Sequence, residues 1–187
     1  PKNMAFSAGP DTNSIFKYKE HKGILAAKEV ISETEKDFAE IFGREYTGLI
    51  ENYRTDDADY DIVTLGSIAG LCRETADRLR ESGVKAGVVR IRYMRPFPNE
   101  EIAKVLSNVK SYAVLEKDIS FGNEGAVFTN VNSALKKAGV SVKGYNYIGG
   151  LGGQNISASD IEKIYSDIVN GTDDVNFIGI GDEENGK

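Results

Sequence analysis

From residue 60 onward the chain alternates short apolar runs with helical patterns, and the connections between them are only a few residues long. YDIVTL (60–65), AGVVRI (86–91), SYAVL (111–115) and VKGYNYI (142–148) are runs rich in β-branched and aromatic residues, and each reads as a strand. Between them lie helical faces. Ile68, Leu71, Cys72, Thr75 and Leu79 share one side, closed by Gly83. Ile102, Val105, Leu106 and Val109 follow Pro98-Asn99-Glu100, and Val127, Val131, Ala134 and Leu135 run up to Gly139. A last helix carries Ile161, Ile164, Tyr165 and Ile168 inward, with Ser157 and Asp160 spaced as an N-cap and its N3 partner. Such alternation predicts right-handed βαβ units and a three-layer α/β/α domain around a mostly parallel sheet. The tail DDVNFIGIG is expected to add an edge strand.

Before this domain the pattern differs. Residues 1–14 read as coil, with a turn at Gly9-Pro10-Asp11, and a long helix is predicted over Ile15–Phe42. Ile24, Ile31, Phe38 and Ile41 form its apolar stripe and Gly43 stops it. Residues 44–58 read as a polar connector. The expected organisation is therefore 1–52 coil, helix and connector, 53–181 α/β domain, and 182–187 loose tail.

Composition narrows the chemistry. The 187 residues carry a net charge of −6, which argues against a nucleic-acid or polyanion binder. No apolar stretch approaches the roughly 18 residues that span a bilayer, and the start PKNMAFSAGP has no signal-peptide core. A cytoplasmic location is the expectation. Cys72 is the one cysteine and His21 the one histidine. One cysteine forms no intrachain disulfide and holds no iron–sulfur cluster, and a lone histidine lacks the company of a zinc site. Redox or metal chemistry would need a cofactor or another chain. No catalytic residue and no metal ligand is assigned.

Several loops are candidates for binding. GGLGG (149–153) stands between a strand and a helix, where phosphate-binding glycines sit. As a dinucleotide fingerprint it fails: Gly150-x-Gly152 is followed at the third position by Asn155, and it comes after the fourth strand rather than the first. A tight turn against a neighbour is the plainer reading. GSIAG (66–70) has a spacing suited to helix–sheet packing, and Cys72 reads as a small buried hydrophobe. EKDISFGNEG (116–125) lies beyond a strand's carboxyl end, where open α/β sheets bind ligands. Glu116 there could move a proton or simply be an exposed acid. Glu116, Gly122, Gly150 and Gly152 are the loop candidates for a cofactor.

RIRYMRPFP (90–98) is the remaining puzzle. A strand covered on both faces should be apolar throughout, yet Arg90 and Arg92 fall on one side of it. Solvated charge, docking of a partner chain and anion recognition are all open readings, because arginine is enriched at interfaces and also binds anions.

Taken in order, YRTDDADYDIVTLGSIAG, GVVRIRYMRPFPNEEI, AVLEKDISFGNEG and NYIGGLGG resemble the later part of the alpha subunit of pyruvate:ferredoxin oxidoreductase (pyruvate synthase). The resemblance runs from about Pro10 to Ile168 and includes KEVISETEKDFAEIFGREY. More widely, strand, Gly-Ser turn, helix, strand and Arg-x-x-Arg-Pro are similar to the carboxyl-terminal domain of transketolase-like enzymes. The resemblance implies an enzyme of anaerobic metabolism that joins a 2-oxoacid, coenzyme A and oxidised ferredoxin to give acyl-CoA, carbon dioxide and reduced ferredoxin. Thiamine diphosphate with magnesium and iron–sulfur clusters would do the chemistry. It implies that these groups are held outside this segment, so none is expected to bind to this chain alone. The implied partners are a pyrimidine-binding domain of the alpha chain, a thiamine-binding beta subunit and a ferredoxin-like subunit. In that setting Arg90, Arg92, Arg95 and Phe97 become interface candidates. A stand-alone nucleotide- or cofactor-binding domain using GGLGG is the alternative.

Overall fold

The computed structural model describes residues 8–46 and 48–180. They divide into two compact units, with the boundary between Gly48 and Leu49. The first is essentially one helix, α1 (Pro10–Phe42). It begins five residues earlier than the apolar periodicity predicts. Pro10 occupies the first turn, where a missing N–H costs nothing. Gly43 closes it in the left-handed conformation (φ 64°), its N–H donating to the Ala39 carbonyl at 2.9 Å. At its end Phe38 stacks near Phe42 and Tyr46, with ring centroids 4.5 and 5.4 Å away, and Arg44 sits over the Phe38 ring. No residue of α1 is buried.

The second unit is an α/β domain with elements β1 (Ile50–Tyr53), β2 (Tyr60–Leu65), α2 (Ile68–Glu81), β3 (Ala86–Ile91), α3 (Asn99–Leu106) and β4 (Ser111–Glu116). Then follow α4 (Ala126–Ala138), β5 (Lys143–Ile148), a 3₁₀ turn (Leu151–Gly153), α5 (Ala158–Asn170) and β6 (Val175–Phe177). The sheet order is β1-β3-β2-β4-β5-β6, parallel throughout except for β1, which runs antiparallel to β3. The edge strand expected near the carboxyl end is β6. The segment 182–187 lies outside the described residues.

β1 corrects the sequence reading, which places residues 50–53 in or beside a polar connector. The strand is four residues long and carries Glu51 and Asn52, so its pattern is too short and too polar to stand out. Pairing makes up the deficit. Glu51 lies opposite Arg90 in the ladder, and its carboxylate meets the guanidinium groups of Arg90 and Arg73.

The continuous apolar runs follow from burial on both faces. Ile62, Val88, Ala113 and Leu115 turn to one side, beneath α2 and α5. Val63, Val89, Tyr112 and Val114 turn to the other, beneath α3 and α4. Each of the valine, leucine and isoleucine side chains among these contributes roughly 1.5–3 kcal/mol by leaving water. α5 opens with the expected capping box: the Ser157 hydroxyl accepts from the Asp160 N–H at 3.2 Å, and the Asp160 carboxylate accepts from the Ser157 N–H at 2.7 Å.

The chain leaves β2 for β3 on one side and leaves β4 for β5 on the other. The carboxyl ends of β2 and β4 therefore flank a topological switch point, where open α/β sheets form a crevice.

Candidate functional site

A cleft of about 460 Å³ opens at that switch point. The loop after β2 supplies Gly66, Ser67 and Ile68, and the end of β4 supplies Leu115, Glu116, Lys117 and Asp118. Leu65, Met94, Ala126, Val127, Gly149 and Ile156 complete the wall. Most of this surface is aliphatic, with the charged groups of Lys117 and Asp118 on residues exposed to solvent.

Glu116 is the buried acid of the site, 2% exposed. Its carboxylate accepts from the backbone N–H groups of Val127 (2.7 Å) and Phe128 (3.0 Å) and from the Asn146 side-chain amide (2.9 Å). The Asn146 carbonyl oxygen in turn accepts from the Gly125 N–H at 2.7 Å. Two side chains of the sheet thus close the amino end of α4, a position that would otherwise attract an anionic ligand. Burial raises the Glu116 pKa, the hydrogen bonds from Val127, Phe128 and Asn146 oppose that rise, and Asp118 adds to it. Gly125 must be glycine here, since a Cβ would stand 2.1 Å from the Glu116 carboxylate. Glu116 is built as a clamp, with its oxygens engaged, rather than as a free proton-transfer group.

The glycine candidates separate. Gly122 (φ 80°) sits in the tip of the β4–α4 loop with open space around it. Gly150 (φ 74°) lies under Lys117, whose Cε would be 2.8 Å from an added Cβ. Gly152 (φ 61°) faces open space inside the 3₁₀ turn. Of the GGLGG residues only Gly149 lines the cleft, and its N–H donates to the Glu116 carbonyl at 3.0 Å. With α5 closed by its own capping box, the loop is a tight turn without an open helix end behind it.

The arginines gather at a second cleft of about 380 Å³, lined by Arg90, Arg92, Tyr93 and Met94 with Leu65, Gly66 and Ile91. Arg90 meets Glu51 at 3.3 Å, while its buried Nε has no hydrogen-bond partner among the described residues. Arg92 lies just beyond β3, 5.7 Å from the Tyr93 ring centre. Arg95 is exposed and donates to the Met94 carbonyl at 2.5 Å. Phe97 is half-buried and packs with Met94 against the α3/α4 side of the core. The structure therefore brings Arg90 and Arg92 together and leaves Arg95 and Phe97 apart from them.

Three features escape sequence reasoning. Lys117 and Ser67 line the cleft, which only topology reveals. Phe121 is 95% exposed. Asp61 lies wholly buried in β2 with neither carboxylate oxygen hydrogen-bonded among the described residues. An acid inside YDIVTL is the signal that could have marked it.

Implied cofactors can be tested against these residues. Cys72 is buried and its thiol is pushed up to about 12 by desolvation, which does not suit a cluster ligand. Among the described residues no group of three or more His, Cys, Asp or Glu side chains is placed to hold a metal ion. With one cysteine in the sequence, an iron–sulfur cluster does not fit the residues of this segment. No described helix is long and apolar enough to cross a membrane.

Residues 58–161 match the family model for pyruvate:ferredoxin oxidoreductase core domain II. A ketoisovalerate oxidoreductase subunit VorA from Pyrococcus abyssi is 40% identical over 153 residues, 82% of this chain and 39% of the relative. A pyruvate synthase subunit PorA from Methanothermobacter thermautotrophicus is 36% identical over 183 residues, 98% of this chain and 46% of the relative. The chain spans less than half the length of these relatives. Among solved structures, a 2-oxoglutarate:ferredoxin oxidoreductase from Magnetococcus marinus aligns with 88% of this chain and 24% of its own (TM-score 0.50, 20% identity). A split-gene transketolase aligns with 68% of this chain and 43% of its own (TM-score 0.52, 17% identity). These two likenesses concern the fold.

Proposed function

The chain belongs to the pyruvate:ferredoxin oxidoreductase core domain II family, and from that premise we propose that it is an assembly domain within the alpha-type subunit of a 2-oxoacid:ferredoxin oxidoreductase. In this reading the whole enzyme cleaves a 2-oxoacid in the cytoplasm, releases carbon dioxide, hands the acyl group to coenzyme A and passes the two electrons to ferredoxin. Thiamine diphosphate, magnesium and iron–sulfur clusters are held by the rest of the alpha chain, the beta subunit and a ferredoxin-like subunit. Pyruvate and branched 2-oxoacids are both represented among the relatives by name. The work of this segment is to brace those parts, with Arg92 and Arg95 contributing to a contact between domains or subunits.

The observation that carries this reading is identity near 40% along more than four-fifths of the chain to alpha-type subunits. The engaged state of Glu116 and the closed ends of α4 and α5 support a structural rather than a nucleotide-binding use of the loops. The test is reconstitution. The chain together with the remaining alpha, beta and ferredoxin-like parts should reduce ferredoxin in the presence of a 2-oxoacid and coenzyme A. The chain alone should not. Micromolar binding of NAD, FMN or thiamine diphosphate to the isolated chain would count against this reading. Arg95→Ala should weaken association with the partner chains while leaving ligand binding to the isolated chain unchanged.

A further inference from the structure

Arg80, near the end of α2, clips the connection between β1 and β2. Its Nε donates to the Ala86 carbonyl at 2.6 Å, and its Nη2 donates to the Arg54 carbonyl at 2.7 Å and to the Asp57 carboxylate at 2.8 Å. The backbone it holds is strained, because Arg54 sits in the left-handed region (φ 59°) that a residue with a Cβ seldom adopts. The far end of the connection is anchored separately: the Asp59 N–H donates to the Lys85 carbonyl, and the Asp59 carbonyl accepts from the Lys110 N–H. Residues 54–58 are thus a short span between two fixed ends, with Arg80 across it. Asp61 borders the same space. A Cβ on Gly87 would stand 2.3 Å from the Asp61 carboxylate, 2.9 Å from the Ala58 side chain and 3.0 Å from the Arg54 carbonyl. Asp61 is fully buried, and neither of its oxygens has a hydrogen-bond partner among the described residues. The other titratable groups around it offer it no cation. The Tyr165 hydroxyl of α5 donates to the Gly87 carbonyl, Tyr112 beside it in the sheet donates to Asn132, and Cys72 of α2 is a buried thiol. Arg54 turns its guanidinium to Asp77, the Lys85 residue is exposed, and Asp57 would only repel a second acid. Arg80 is the cation whose charge reaches Asp61.

We propose that residues 54–58 are a pH-operated lid: Arg80 clips it shut while Asp61 is protonated, and transfers to the Asp61 carboxylate when that acid ionises, so that the lid lifts. The partners that Arg80 gives up are a backbone carbonyl and an exposed carboxylate, both of which water can satisfy. What it gains is a buried carboxylate that has no other counter-ion, where leaving the charge alone is far more costly. Lifting also frees Arg54 from its left-handed conformation and admits water past Ala58. The direction with pH follows. Burial holds the closed-lid proton up to about pH 7, whereas Arg80 and water together favour the ionised acid once the lid is open. The ratio of open to closed lid therefore rises about tenfold per pH unit from the ordinary carboxylate range up to about 7, and levels off above. This inference stands or falls separately from the family assignment.

Heteronuclear NMR of the 187-residue chain between about pH 4.5 and 8.5 reads each part of this exchange. In the wild type the Asp61 carboxyl carbon, the backbone amides of residues 54–58 and the Arg80 Nε–H should all shift with one midpoint, above the ordinary carboxylate range. Asp61→Asn should hold those amides and the Arg80 signal at their low-pH positions throughout. Arg80→Gln separates a counter-ion from a mere clip. Without its counter-ion Asp61 should keep its proton to higher pH, its midpoint rising by about one unit or more, a tenfold change in proton affinity. If Arg80 only pins the loop, its loss opens the lid at every pH and the midpoint falls instead, which overturns the proposal. So does an Asp61 that titrates while residues 54–58 and Arg80 stay unmoved, or a shift of those amides that survives Asp61→Asn. The wild-type titration needs no variant to fold, and an Asp61 midpoint in the ordinary carboxylate range overturns the proposal by itself.

Discussion

Asp61 places a carboxyl group where nothing compensates its charge. It is enclosed by Ala58, Gly87 and the ring of Tyr165, whose hydroxyl donates to the Gly87 carbonyl at 2.7 Å instead of to the acid. Burial pushes its pKa from 3.8 up to about 7, with Arg80 pulling slightly the other way. The folded chain therefore holds a proton that the unfolded chain has released above about pH 4. Stability is fullest below that pH, declines as pH rises to about 7, and is flat beyond. One group with this shift is worth roughly 4 kcal/mol across the window. Asp61→Asn should remove that slope, as read from urea midpoints between pH 4 and 8; an unchanged slope would contradict it. Glu116 is the opposite case, an acid whose hydrogen bonds hold two elements together. Glu116→Ala leaves the Val127 and Phe128 N–H groups without their buried acceptor. It should cost about 2–3 kcal/mol in the same measurement, with amide exchange accelerated first at the start of α4. Asp61 and Glu116 also mark the limit of reading residues one by one. Each is a single letter in an apolar run, and only the fold shows that one is orphaned and the other is fully engaged.

At the level of elements, what was legible and what was not have one cause. β2 to β5 and α2 to α5 announce themselves because burial on both faces leaves short continuous apolar runs in the strands, while burial of one face imposes a 3.6-residue period on the helices. The capping box at Ser157 was equally plain, because its two partners are three residues apart in sequence. Ser157→Ala should lower the stability of the domain by about 1 kcal/mol, visible as a reduced thermal midpoint; no change would mean the cap is redundant. β1 has no such period. It exists because Arg90 and Arg73 come to it from other elements, so its signal is spread over 40 residues of sequence. The same holds for RIRYMRPFP. Arg90 is tolerated in β3 because its strand neighbour supplies Glu51, a partner that lies outside the quoted motif. The cleft is a third instance, since its walls come from four loops that only the order β3-β2-β4-β5 brings together.

At the scale of the molecule, both core clusters are built wholly from residues beyond Leu49. A chain lacking residues 1–48 should therefore keep a cooperative unfolding transition and the far-ultraviolet signature of the α/β domain. Loss of cooperativity on that truncation would mean that α1 contributes to the core. In the proposed reading this domain, with two buried sheet faces and the amino ends of α4 and α5 closed from within, acts as a brace for the rest of the enzyme. Steady-state ferredoxin reduction by the reconstituted enzyme tests that most directly. With this chain present, 2-oxoacid and coenzyme A should together drive ferredoxin reduction, and omission of the chain should abolish it. Retained activity after omission, or turnover by the chain alone, would contradict the account.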